Sequence, residues 1–145
     1  MSRGDLGGVP RREAGVNMLD LDSPRWLELD SCSGRPRMVP ELLRRLRVRP
    51  TEDDWAEVWE QISHQWTLYP AAYAAVPHLV GLLAEQKQLR QRESLECLAR
   101  IAFPLERVCD CPPDLRHDFH AAMAEAGVVA TAFANSGAAP VNDQI

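Results

Sequence analysis

Two stretches decide the fold: Val39-Pro40-Glu41-Leu42-Leu43-Arg44-Arg45-Leu46 and Val76-Pro77-His78-Leu79-Val80-Gly81-Leu82-Leu83. In the first, Val39, Leu42, Leu43 and Leu46 stand at i, i+3, i+4 and i+7, the apolar stripe of an amphipathic helix. Pro40 sits near the start, where its missing N–H would have no helical partner anyway, and Pro50 ends the helix. Thr51 followed by Glu52, Asp53 and Asp54 reads as an N-cap with acids in the first turn, where the helix dipole favours them. Trp55, Val58, Trp59 and Ile62 form a second stripe of the same spacing. Only the short corner at Pro50 separates the two helices, so they are expected to lie antiparallel.

The second stretch repeats the first. Val76, Pro77, Leu79, Val80 and Leu83 fall on Val39, Pro40, Leu42, Leu43 and Leu46 at a constant offset of 37 residues. At the same offset Leu95 falls on Val58 and Ala99 on Ile62. A period near 40 with a proline heading the first helix of each unit is the mark of HEAT or armadillo-like repeats. The expected fold is therefore all-α: a short HEAT-like α–α superhelix of two helical hairpins plus a degraded third unit. That third unit begins at Pro113 and Leu115 and continues through Phe119 and Met123.

The flanks carry less pattern. Residues 1–17 hold four glycines, one proline and several charges without periodicity, so they predict a disordered N-terminal tail. Met18 opens the patterned domain, 18–127. Near its start Ser23 and Pro24 read as an N-cap and first helical position, with Trp26, Leu27 and Leu29 anchoring one short turn. Residues 128–145 are small and weakly patterned and predict a weakly ordered C-terminal tail.

The 145 residues suffice for one core, and 46% apolar with 26% charged residues is globular composition. The net charge of −5 argues against a whole-molecule footprint for nucleic acid or an anionic membrane. No run of roughly 18 apolar residues is present, so no membrane span is expected. Arg3, Arg11 and Arg12 are not followed by an apolar run, so no secretory signal is expected either. Cys32, Cys97, Cys109 and Cys111 then read as reduced thiols of a cytoplasmic protein.

The segment from Pro24 to Leu79 carries a further pattern. It has a Trp-containing opening at Pro24–Leu29, Val-Pro-x-Leu-Leu at Val39–Leu43 and a Trp-rich second helix. His64, Gln65 and Tyr69 follow, then the alanine-rich Ala71–Val76 and Pro77-His78-Leu79. Over about residues 22–103 the chain resembles a group of small bacterial HEAT-repeat-like proteins, some of them of immunity or interaction type. The resemblance implies a stand-alone binding protein. Trp66 departs from the pattern, because that group has glycine after His-Gln.

Several constellations have competing readings. Cys109, Cys111, His117 and His120 form C-x-C-x5-H-x2-H, but a one-residue spacer is tighter than structural zinc sites use. The simpler reading is two loop thiols and two solvated histidines, with no metal. His64 could be a general base oriented by Glu60 or Asp54, yet no nucleophile elbow, glycine-rich loop or paired acidic metal motif accompanies it. Its simpler reading has His64 and Gln65 bonding the last carbonyls of their helix. Residues 35–49 hold six arginines against Glu41, and residues 52–60 hold five acids and no base. These two runs either neutralise each other across the hairpin or leave a basic edge for an acidic partner or a phosphate backbone.

Trp55 and Trp59 lie on a core stripe. Trp66 has no place in it and is the first candidate for an exposed anchor, with Tyr69, His64 and Gln65 around it. The expected function is a protein–protein interaction module of immunity or regulatory type, not an enzyme and without a cofactor. The alternatives are a helical-repeat protein that binds or modifies nucleic acid, and a truncated paralogue without independent function.

Overall fold

The computed structural model describes residues 18–136. The expected tail at 1–17 lies outside the described residues, as do the last nine residues of the one expected at 128–145. The architecture is mainly helical. Five α-helices, α1 (Met38–Val48), α2 (Glu52–Ile62), α3 (Ala71–Gly81), α4 (Gln88–Ala102) and α5 (Pro113–Asn135), are accompanied by 3-10 turns at Pro24–Glu28 and Leu83–Glu85. No helix among the described residues is long and apolar enough to cross a membrane.

The local signals behave as their chemistry demands. Ser23 Oγ accepts from the Arg25 N–H at the first 3-10 turn, and Thr51 Oγ1 accepts from the Asp54 N–H at the start of α2. Val39, Leu42, Leu43 and Leu46 are all buried and set α1 against α2 and α3. Trp26 and Leu29 are buried, whereas Leu27 is turned outward.

α3 is the centre of the molecule. Every residue from Ala71 to Val80 is buried, and the helix packs most extensively on α5. Its alanines let the helix axes approach, and Tyr73 meets Phe119 edge-on with ring centroids 5.1 Å apart. Because Pro70 opens α3 and the alanine run lengthens it, Pro77 lies inside the helix rather than heading it. The expectation that proline heads each unit thus holds for α1 and fails for α3.

The second helices differ too. Ala99 is exposed and Leu95 only partly buried, while Ser94, Leu98 and Ile101 are buried. The offset carries the α1 stripe onto α3, but α4 rests mainly on α5 and the Leu83–Glu85 turn, and this selects a rotated face. α5 itself runs to Asn135, so the boundary placed at 127 falls inside a helix. The cause is tertiary: Ala122 and Ala126 are buried, and Val129 packs against the same core. Pro113 does open α5, as read from the sequence, and Leu115 and Phe119 are buried.

The chain is also not purely helical. β1 (Ser63–His64) pairs antiparallel with β2 (Thr67–Leu68), and β2 pairs in parallel with β3 (Glu106–Arg107). Two long-range ties close the other end of the molecule. Arg25 makes a two-pronged pair with Asp114, Nε and Nη2 donating at 2.9 and 3.0 Å, and this guanidinium holds the Asp114 carboxyl below the ordinary range. The second tie is His78, whose Nε2 donates to the Leu19 carbonyl at 2.7 Å and whose Nδ1 is buried without a partner among the described residues. Burial pushes the His78 imidazole down to about 4, so the ring is neutral at pH 7.

Candidate functional site

Where α2 ends, the chain turns through a two-residue hairpin loop, Gln65 and Trp66, both at positive φ (51° and 70°). Two left-handed residues in succession make the twist that a tight β-hairpin needs, but glycine or asparagine normally occupies them. A tryptophan there is strained. What holds it is the third strand. The Trp66 carbonyl accepts from the N–H groups of Leu105 and Glu106 at 3.1 and 3.2 Å, and the Val108 N–H reaches the Leu68 carbonyl at 2.9 Å. The Arg100 guanidinium lies over the Trp66 ring, 5.6 Å from its centroid.

The strain has a measurable consequence. Trp66→Gly and Trp66→Ala both remove the ring and the Arg100 contact, so they differ mainly in backbone freedom. The glycine variant is expected to be the more stable by about 1 kcal/mol, the reverse of the usual order of these residues. Chemical unfolding of the pair checks this, and an alanine variant at least as stable would mean that the loop conformation is not held.

Trp66 is 46% exposed, as its place off the core stripe predicts, and it is not alone. Phe103 and Leu105 are each 80% exposed and Val108 52%, all on the segment that hydrogen-bonds to the Trp66 and Leu68 carbonyls. Four large apolar side chains therefore stand out of one corner of the molecule. Sequence reasoning passed over Phe103, Leu105 and Val108. The available signal was that Phe-Pro-Leu-Glu-Arg-Val abandons the helical period after Ile101.

The other expected site residues divide around this corner. His64 Nδ1 pairs with Glu60 Oε2, so of the two orienters considered for the imidazole it is Glu60 that holds it. The end of α2 is not capped by His64 and Gln65. The carbonyls of Gln61 and Ile62 accept instead from the backbone N–H groups of Cys32 and Tyr69, both at 2.9 Å, because neighbouring chain reaches them first. Tyr69 is half-buried with its phenol beside Cys32 and Glu106, and burial first, then Cys32, pushes that phenol up. No ring contact joins Tyr69 to Trp66 among the described residues. Trp55 and Trp59 are buried and stacked at 6.2 Å.

A cavity of about 90 Å³ between α2 and α4 is lined by Ala56, Trp59, Glu60, Ser63, Cys97 and Arg100. Burial pushes the Cys97 thiol up, which keeps it protonated and a poor nucleophile. The second cluster is dispersed. The Cys109 carbonyl accepts from the Tyr73 hydroxyl at 2.8 Å, burial raises the Cys111 thiol to about 11, and His117 leans on Asp118. Among the described residues no three His, Cys, Asp or Glu side chains converge on a point that could hold a metal ion.

The charge runs are only weakly joined to each other. Arg45–Asp54, at 3.8 Å, is the one ion pair between α1 and α2 among the described residues. Arg44 instead pairs with Asp22, and Glu52 with Arg90 of α4. Arg35, Arg37, Arg47 and Arg49 are exposed and have no ion pair with α2 among the described residues, so most of the arginine run is uncompensated by its hairpin neighbour. Comparison with protein-family models, with curated proteins and with solved structures gave no match.

Proposed function

We propose that this chain is a small HEAT-like helical-repeat module whose work is to bind another protein, and that the corner formed by Trp66, Phe103, Leu105 and Val108 is where it does so. The observation that carries the reading is the strained Trp66 turn. A bulky side chain held at positive φ by two hydrogen bonds to its carbonyl and a guanidinium over its face is kept at a cost to stability. Exposed as it is beside three other large apolar residues, it has the makings of an interface anchor. Arg100 adds a second residue type favoured in such anchors.

Support for the repeat part comes from the α1 and α3 stripes, whose residues at the constant offset of 37 are buried pair by pair. The same turn geometry gives a reason for the glycine found after His-Gln in the small HEAT-like proteins the chain resembles. At 70° of φ a glycine sits without strain. Replacing it with tryptophan exchanges stability for a contact residue.

The test pairs stability with binding. Wild type and a Trp66→Gly/Leu105→Ser variant serve as bait on extracts of the native host, and captured proteins are then titrated against both. A partner that binds wild type and loses about 2 kcal/mol or more against the variant, at matched folding, supports the site. Capture that is indifferent to the variant places the interaction elsewhere and sinks this assignment.

A further inference from the structure

Residues 35–49 hold six of the chain's 16 basic residues, all of them arginine, against one of its 21 acids. On α1 and its N-cap, Arg37, Glu41, Arg44 and Val48 stand at i, i+4, i+7 and i+11, one line down the face opposite the buried Val39, Leu42, Leu43 and Leu46. Arg45 and Arg47 border that line, and Arg35 and Arg49 flank the helix at its two ends. Two arginines elsewhere each hold a pair of acids, Arg25 with Glu28 and Asp114, and Arg90 with Glu52 and Glu93. Here only Arg44 and Arg45 have one, Asp22 and Asp54. Arg35, Arg37, Arg47 and Arg49 are exposed and make no ion pair among the described residues. On a chain of net charge −5 this leaves a local excess of positive charge, which draws anionic groups to it.

Arginine rather than lysine suits planar oxyanions, which a guanidinium meets with two N–H groups at once. Three features favour carboxylates of a peptide over a phosphate backbone. The net negative chain repels a polyanion as dense as a duplex. No aromatic ring stands among residues 35–49 to stack on a base. Val48, set among Arg44, Arg45, Arg47 and Arg49, is 82% exposed, and a peptide brings apolar side chains to cover it where a sugar–phosphate chain brings none. The acidic run of a second copy fits poorly, because Glu52, Asp54, Glu57 and Glu60 are already engaged by Arg90, Arg45, Gln61 and His64.

We propose that the outer face of α1 docks an acidic, amphipathic segment of another protein, its carboxylates on Arg37, Arg47 and Arg49 and an apolar side chain on Val48. From Arg37 to Val48 the helix rises about 16 Å, so the docked segment needs about three helical turns or about five extended residues. This face shares no residue with the Trp66 corner and does not depend on it.

The probe is a fluorescein-labelled peptide of four Glu-Glu-Leu-Glu repeats, titrated with the full-length protein and followed by anisotropy. A labelled polyglutamate of equal length and a labelled DNA duplex of mixed sequence are the controls. At 50 mM NaCl the repeat peptide is expected to saturate, at least threefold tighter than polyglutamate and tenfold tighter than the duplex. Its binding is expected to weaken at least fivefold at 200 mM NaCl, since exposed charges are screened. Arg37→Gln/Arg47→Gln/Arg49→Gln removes no ion pair seen among the described residues and is expected to weaken the peptide at least tenfold with the melting temperature kept. Arg47→Glu alone, expected to cost at least threefold, replaces it should the triple variant lose its fold. Val48→Ser is expected to erase the preference for the repeat peptide over polyglutamate. The proposal is overturned by absence of saturation, by a duplex bound as tightly as the peptide, or by indifference to the arginine substitutions. It is equally overturned by a preference for the repeat peptide that survives Val48→Ser, or by dimerisation in sedimentation at 50 mM NaCl that the arginine substitutions abolish.

Discussion

Leu43→Ala is expected to destabilise the protein by about 2–5 kcal/mol, whereas Arg45→Ala, two positions on, should change stability by less than about 1 kcal/mol. Leu43 is fully buried between α1 and its neighbours, so truncation removes apolar contact and leaves a cavity that close-packed helices cannot collapse to fill. Arg45 is half-exposed and its link to Asp54 is long at 3.8 Å, which makes it a weak pair in high dielectric. Urea unfolding of the two variants against wild type measures the difference. Similar losses would mean that α1 presents a different face to the core, and with it the α1–α3 correspondence would fail.

The second large effect is a dependence on pH centred on His78. Its pKa is held down to about 4 by burial, with Arg47 pushing the same way and the Leu19 carbonyl and Asp20 opposing. The unfolded chain takes up this proton near the ordinary value of about 6.5, the folded chain only near 4. Between those values the unfolded state binds more protons, so stability is complete above about pH 6.5 and is lost as pH falls toward 4. The full loss amounts to about 3 kcal/mol for this one group. His78→Gln keeps an N–H for the Leu19 carbonyl and cannot titrate in this range. Stability measured from pH 7 to pH 4 is therefore expected to fall further in wild type than in the variant by about that amount. Parallel curves would show that the histidine is already solvated or already charged in the folded state.

Both effects come from residues that a reader of the sequence meets very differently. Leu43 belongs to a stripe that repeats every turn of a helix, and such a pattern is written in consecutive residues. The same holds for the Thr51 cap, the end of α1 before Pro50 and the start of α5 at Pro113. Trp66 was legible by subtraction, since an indole off the apolar stripe has nowhere in the helix pair to be buried. His78 was not legible. It lies in the Val76–Leu83 stretch, and only the 3-10 turn and the segment around Leu19 folding back over α3 make it a buried, neutral tie.

What only the tertiary structure decided is set by partners distant in sequence. β3 pairs with β2 across 39 residues, Thr67 facing Glu106, and no local pattern in Glu106–Arg107 announces a strand. That pairing is what lifts Phe103, Leu105 and Val108 beside Trp66. The rotated face of α4, the interior place of Pro77 and the extension of α5 past residue 127 all follow from packing around α3. The alanines of α3 have no helical stripe to read because every side of that helix is covered. Periodicity reports which face of a helix is apolar, and so the sequence determined α1, α2 and the faces they pack against each other. It cannot report which of several apolar faces a buried helix turns toward each neighbour, because that choice is made by close packing among residues that the chain brings together only when folded.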